Sequence, residues 1–154
     1  MNQTVIEKRH TTGRPVIRFK TRGASLGITA ASTGELISQV EHGFSFKALR
    51  QLESHSGMPV SMIASIIEIP ERTLARRKTA GRLTSEESER LLRVSTVFEK
   101  ALELFEGDAG AAVKWLTTSQ RALGNHPPIA YSRTELGARE VENLIGRLEH
   151  GVFS

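Results

Sequence analysis

Between residues 71 and 82 the chain places Arg72, Arg76, Arg77, Lys78 and Arg82 against one acid, Glu71. Cations at this density suit phosphate oxygens, and the planar fork of arginine can donate two parallel hydrogen bonds to a guanine edge. Thr73, Arg76 and Arg77 are spaced to present donors to base edges, while Arg72, Lys78 and Arg82 can reach phosphates. The chemistry is recognition of a polyanion rather than bond making or breaking. The plainer reading is a helical hairpin with a solvated basic face.

Catalytic alternatives find little support. The five histidines, His10, His42, His55, His126 and His150, include no pair at the spacing a helical metal site uses. There is no cysteine, hence no disulfide, thiolate ligand or thiol nucleophile. Gly107-Asp108-Ala109-Gly110 reads as a helix start, because no strand precedes it and no Lys-Ser/Thr follows. No nucleophile elbow is visible. His150 reads as a helix C-cap or partner contact rather than a base. Trp115, Phe98 and Phe105 fall on helical stripes and read as core, not as platforms for stacked bases. The expectation is a non-enzyme without cofactor or metal.

At 154 residues with 38% apolar content, one domain or two small ones can form. No run approaches the roughly 20 apolar residues of a membrane helix, and the polar, basic start does not read as a signal peptide. A cytoplasmic location is expected. The net charge of +4 is concentrated at the front. Residues 1–25 hold Lys8, Arg9, Arg14, Arg18, Lys20 and Arg22 against Glu7 alone. Such a segment marks either a contact with phosphate or an acidic partner, or a solubilising tail.

The elements that must position these groups are helical. Residues 1–31 show no sustained period and read as a flexible arm; Val16–Phe19 has strand character but no evident partner. Leu36, Ile37 and Val40 share a face of a first helix that Gly43 ends. Ser45 caps a second helix that buries Phe46 and Leu49. Pro59 opens a third, with Val60, Ile63, Ala64 and Ile67 at i, i+3, i+4, i+7. A fourth spans about 71–79 around Leu74. Thr84 and Glu87 form a capping box for a long helix whose stripe is Leu91, Val94, Phe98, Ala101, Leu102 and Phe105. Asp108 caps a helix carrying Ala112, Trp115 and Leu116. After a loop rich in Gly, Asn and Pro, Thr134 caps a last helix with Val141, Leu144, Ile145 and Leu148 on one face.

Residues 59–80 meet the demands of a helix-turn-helix. Ala64 is small where the helices cross, Ile69 can be buried in the turn, and Leu74 can anchor the second helix. Two positions depart from the pattern. The turn position usually held by glycine is Glu68, and a position of the second helix that is often apolar holds Arg77.

The succession RTLARRKTAGRLTSEESERLLRV, ALELFEGDAGAAVKWL, LGNHPPIAY and the closing HGVFS resembles antitoxins of the Xre/MbcA/ParS type, most closely the Xre antitoxins paired with RES-domain toxins. The resemblance covers about residues 33–154 and rests on Arg72-Thr73-Leu74, Trp115-Leu116, Pro127-Pro128 and Gly151-Val152 at these separations. It implies an N-terminal Cro-like helix-turn-helix module, a C-terminal toxin-binding module, a toxin partner that consumes NAD, and repression of the pair's own promoter. Arg147, His150, Gly151, Val152, Phe153 and Ser154 are then expected to enter or cover the toxin cleft. NAD would be the partner's substrate, with none bound here.

The reading is therefore an all-α chain: an arm over 1–31, a helix-turn-helix module over 32–100 and a toxin-binding module over 101–154. Its partners would be a RES-domain toxin and operator DNA. A homodimer is expected, since one helix-turn-helix rarely reads enough DNA and two-fold symmetry matches a palindromic operator. The alternative is a stand-alone helix-turn-helix regulator whose C-terminal module serves dimerisation.

Overall fold

The computed structural model describes the backbone of residues 5–9 and 15–151, and the side chains of 17–151. A short antiparallel hairpin, β1 (Val5–Arg9) and β2 (Pro15–Phe19), comes first, in register Val5↔Phe19. Helices α1 (Thr33–His42), α2 (Lys47–Ser56), α3 (Val60–Ile66) and α4 (Glu71–Ala80) follow. The long α5 (Ser85–Leu104) leads to α6 (Ala109–Leu116), α7 (Pro128–Tyr131) and α8 (Glu135–Glu149). From residue 33 onward the described chain is all-α, as the periodicity predicts.

The expectation of a flexible arm over 1–31 is corrected for its described part. Val16–Phe19 does have a partner, the strand Val5–Arg9. Residues Ala24–Leu26 form one 3-10 turn and are buried. Phe19 is buried too, edge-on to the His55 ring (centroids 5.0 Å) and beside Phe98. The buried carboxylate of Glu99 accepts from Gly23 N (3.3 Å), Ser25 N (3.0 Å) and the Ser25 hydroxyl. Arg22 Nε donates to Thr96 Oγ1 (3.0 Å), and the His55 ring nitrogen Nδ1 meets Ser25 O (3.1 Å). These contacts join residues more than 70 positions apart in the cases of Arg22, Gly23 and Ser25. A local period cannot report them.

The starts and stops follow side-chain chemistry. Ser32 caps α1 by accepting from Glu35 N, so the helix begins at Thr33, where the periodicity starts. Ser45 Oγ accepts from Lys47 N at the start of α2. At α5 the capping box is complete: Thr84 Oγ1 accepts from Glu87 N, and Glu87 Oε1 accepts from Thr84 N. Gly43 ends α1 at φ 85°, and a Cβ there would stand 2.2 Å from the Leu83 carbonyl oxygen. Only glycine lets these backbones cross, and the crossing is tied by Leu83 N donating to Phe44 O (2.9 Å) and Phe46 N to Gly81 O (2.9 Å).

α5 organises the core. Leu91, Val94, Val97, Phe98, Ala101 and Leu102 are fully buried along it. Its first half packs on α1, and Arg90 Nε donates to Ile67 O at the end of α3 (2.8 Å). Its second half packs on α6 and α8, where Ala112, Leu116, Val141, Leu144 and Ile145 close the core. A single buried cluster runs from Phe19 to Ile145. No helix among the described residues is long and apolar enough to cross a membrane.

Candidate functional site

α3 and α4 form the helix-turn-helix. Ala64 and Ile69 are buried at the crossing and in the turn, and Ile69 N donates to Ala64 O (2.8 Å). Glu68 takes the left-handed conformation (φ 61°) where the pattern prefers glycine. The turn is therefore intact, at the cost of about 1 kcal/mol in backbone strain. α4 itself buries no residue fully, and Leu74 is half-buried as its anchor.

The six cations and hydroxyls expected at the DNA do not share one environment. Arg72, Arg76 and Lys78 are exposed. Thr73 is half-buried and receives a long hydrogen bond from Arg76 Nη2 (3.4 Å). Arg77 does not face outward as expected. Its Nε donates to Glu87 Oε1 at 2.8 Å, and the two side chains are 24% and 6% exposed. The often-apolar position is thus an inward one, and the arginine there is matched by a buried acid on α5. Burial works to raise the Glu87 carboxyl, but hydrogen bonds from Arg77 and Thr84 outweigh it and hold the group below the usual carboxylate range. Arg82 is exposed over much of its length, yet its Nη1 donates to the carbonyls of Gly43 (2.7 Å) and His42 (3.3 Å). It clamps the end of α1.

At the other end of the chain the structure gathers Arg147, His150 and Gly151 at the close of α8. Arg147 is half-buried in the last turn. His150 is exposed and caps the helix, its N–H donating to Gly146 O (3.2 Å). Gly151 is exposed, left-handed (φ 67°), and donates to Leu148 O (3.3 Å). Val152, Phe153 and Ser154 lie outside the described residues.

The platform under α8 is stiff. Asp108 Oδ1 caps α6 by accepting from Ala111 N (3.1 Å). The 117–127 loop closes on itself through Gln120 N to His126 O (3.1 Å) and Asn125 N to Gln120 O (2.9 Å). Pro127 and Pro128 start α7, and Thr134 Oγ1 caps α8 by accepting from Gly137 N (3.0 Å). A Cβ on Gly137 would lie 1.7 Å from the Tyr131 carbonyl oxygen, so α8 sits directly on the end of α7. Sequence reasoning missed two residues. Glu99 gives no local sign that it holds the front of the chain. Leu136 lies off the buried stripe of α8 and is 77% exposed; its being apolar there was the available signal. No group of three or more His, Asp or Glu that could hold a metal occurs among the described residues.

Residues 35–95 match the family model of the antitoxin Xre-like helix-turn-helix domain. Residues 100–151 match that of the antitoxin Xre/MbcA/ParS C-terminal toxin-binding domain. Over 141 residues the chain is 39% identical to an Antitoxin Xre of Yersinia enterocolitica serotype O:8 / biotype 1B, covering 91% of this chain and 95% of that protein. Over 131 residues it is 33% identical to an Antitoxin Xre of Photorhabdus laumondii subsp. laumondii, covering 84% and 88%.

Proposed function

The chain belongs to the family of Xre antitoxins, and from that premise we propose that it neutralises a RES-type, NAD-degrading toxin by covering its active site and represses its own promoter. The observation that carries the neutralisation reading is the braced α8, which brings Arg147, His150 and Gly151 to one helix end within the toxin-binding domain. Blocking another protein's pocket needs a rigid projection rather than catalysis. Val152, Phe153 and Ser154 follow directly, and the apolar side chains of Val152 and Phe153 suit a cleft. NAD is the toxin's substrate in this reading and has no site here.

Promoter binding is supported by the intact turn of the helix-turn-helix and by exposed Arg72, Arg76 and Lys78 on α4, with Thr73 beside them. Arg77 and Arg82 serve chiefly to hold α4 and α1 in place. The protein would act in the cytoplasm as a homodimer, with the face of α1 around Ile37 (52% exposed) as a candidate contact between copies.

The deciding experiment removes Val152–Ser154 and follows NAD consumption by the neighbouring toxin in the mixture. Loss of inhibition with the complex still formed is the expected result. Full inhibition by the shortened chain would refute the plug. A neighbouring gene product that neither binds this chain nor consumes NAD would favour a stand-alone regulator.

A further inference from the structure

We infer that the first turn of α8 and the segment before it form a second toxin-contact surface, distinct from the far end of that helix. This rests on the toxin-binding reading above. Leu136 is 77% exposed in the first turn of α8. It lines a groove of about 470 Å³ with Ala130, Tyr131, His126, Arg133 and Glu140. An exposed leucine beside a concave, partly apolar surface marks an interaction site more strongly than a leucine alone.

The groove is built rather than incidental. The Tyr131 ring stacks on His126 with centroids 5.8 Å apart. Ser132 Oγ donates to Pro128 O (2.8 Å), and Arg93 Nη1 reaches from α5 to donate to Arg133 O (2.9 Å). Gly137 presses on the Tyr131 carbonyl. The backbone around the groove is therefore held before any partner arrives, and binding there loses little entropy to ordering.

The occupant is an apolar side chain of the toxin, seated between Leu136 and Tyr131. Arg133 and Glu140 would form a polar rim of both signs. Three observations favour the toxin over other partners. The groove lies wholly within the segment that matches the toxin-binding domain. Its rim has one cation and one acid among its lining residues, which does not suit a phosphate backbone. It also sits on α8, the element whose other end is proposed to approach the toxin. Leu136 and Arg147 stand 11 residues apart on α8, about 16 Å along its axis, so each contact can be removed alone.

The test uses the full chain and the toxin encoded beside it. Wild type, Leu136→Asp and Leu136→Met are compared by calorimetry for toxin affinity, by light scattering for mass and by thermal melting for fold. Leu136→Asp is expected to weaken toxin binding at least tenfold, with melting and mass unchanged and Leu136→Met near wild type. Equal affinity of Leu136→Asp and wild type would overturn this surface while leaving the antitoxin reading standing. A changed mass with unchanged toxin affinity would also overturn it, assigning Leu136 to a contact between copies. Failure of the wild type to bind the toxin would overturn both the reading and the surface.

Discussion

On α4, Arg76 and Arg77 leave the helix about 100° apart, and that angle separates their roles. Arg76 is exposed, whereas Arg77 reaches Glu87 at 2.8 Å. Arg76→Ala is expected to weaken operator binding with little change in melting. Arg77→Met is expected to lower stability by about 1–2 kcal/mol, since it strips a charged hydrogen bond from a buried carboxylate. The pH dependence gives an independent check. The Glu87 carboxyl titrates lower in the folded protein than its ordinary 4.5. Its contribution is therefore full above that value and disappears as pH falls through the folded value. The stability gap between wild type and Arg77→Met should be widest near neutrality and narrow in acid, as read by thermal melts across pH. Equal gaps at all pH would contradict the pairing. The sequence held a clue here: a charge at a position that is often apolar implies a buried partner. What spacing could not supply was the partner's identity, since Glu87 also completes the capping box of another helix.

At the scale of elements, caps and stripes were legible because their causes are local. Thr84 with Glu87, Asp108 and Thr134 each cap a helix within three residues of themselves. Val141, Leu144 and Ile145 face the core as their spacing demands. The front of the chain was not legible. β2 pairs with a strand dominated by Glu7, Lys8 and Arg9, and the turn at Ala24–Leu26 is held by Glu99 from the second half of α5. The junction of α7 and α8 was equally hidden, because it depends on a glycine's missing atom. Gly137→Ala would drive a methyl into the Tyr131 carbonyl and is expected to cost about 2–3 kcal/mol by displacing the start of α8. Denaturant unfolding measures it, and a neutral effect would show that the two helices are not in contact as described.

For the whole molecule, α5 makes one body of the two family domains, because a single buried cluster spans both. Glu99 extends that body to the N-terminal segment. Burial pushes its carboxyl above the usual range, against hydrogen bonds from Ser25 and Gly23. A raised folded value has the opposite sign to that of Glu87: its contribution is full below the ordinary 4.5 and is lost as pH rises through the folded value. Glu99→Leu leaves the N–H groups of Gly23 and Ser25 without their acceptor and is expected to cost about 2–4 kcal/mol in unfolding experiments. Proteolysis near residues 20–28 should quicken with it. Unchanged cleavage would show that the carboxylate does not hold this segment. The two-module order and the helix-turn-helix could be read from the chain, while the docking of its front required contacts across more than 70 residues.

Gly146 offers a contrast within α8. A methyl added there meets no atom within 4 Å, and alanine in a helix interior is worth about 0.5–1 kcal/mol over glycine. The last turn is thus left easier to unwind than its surroundings require. It is a built-in looseness one turn before Gly151, on a helix otherwise clamped at its base. Gly146→Ala should slow amide exchange at His150 and Gly151 and raise the melting temperature. If the terminal segment must bend to seat itself, the same stiffening should slow capture of the toxin. Stability and speed of neutralisation would then be in competition at a single side chain.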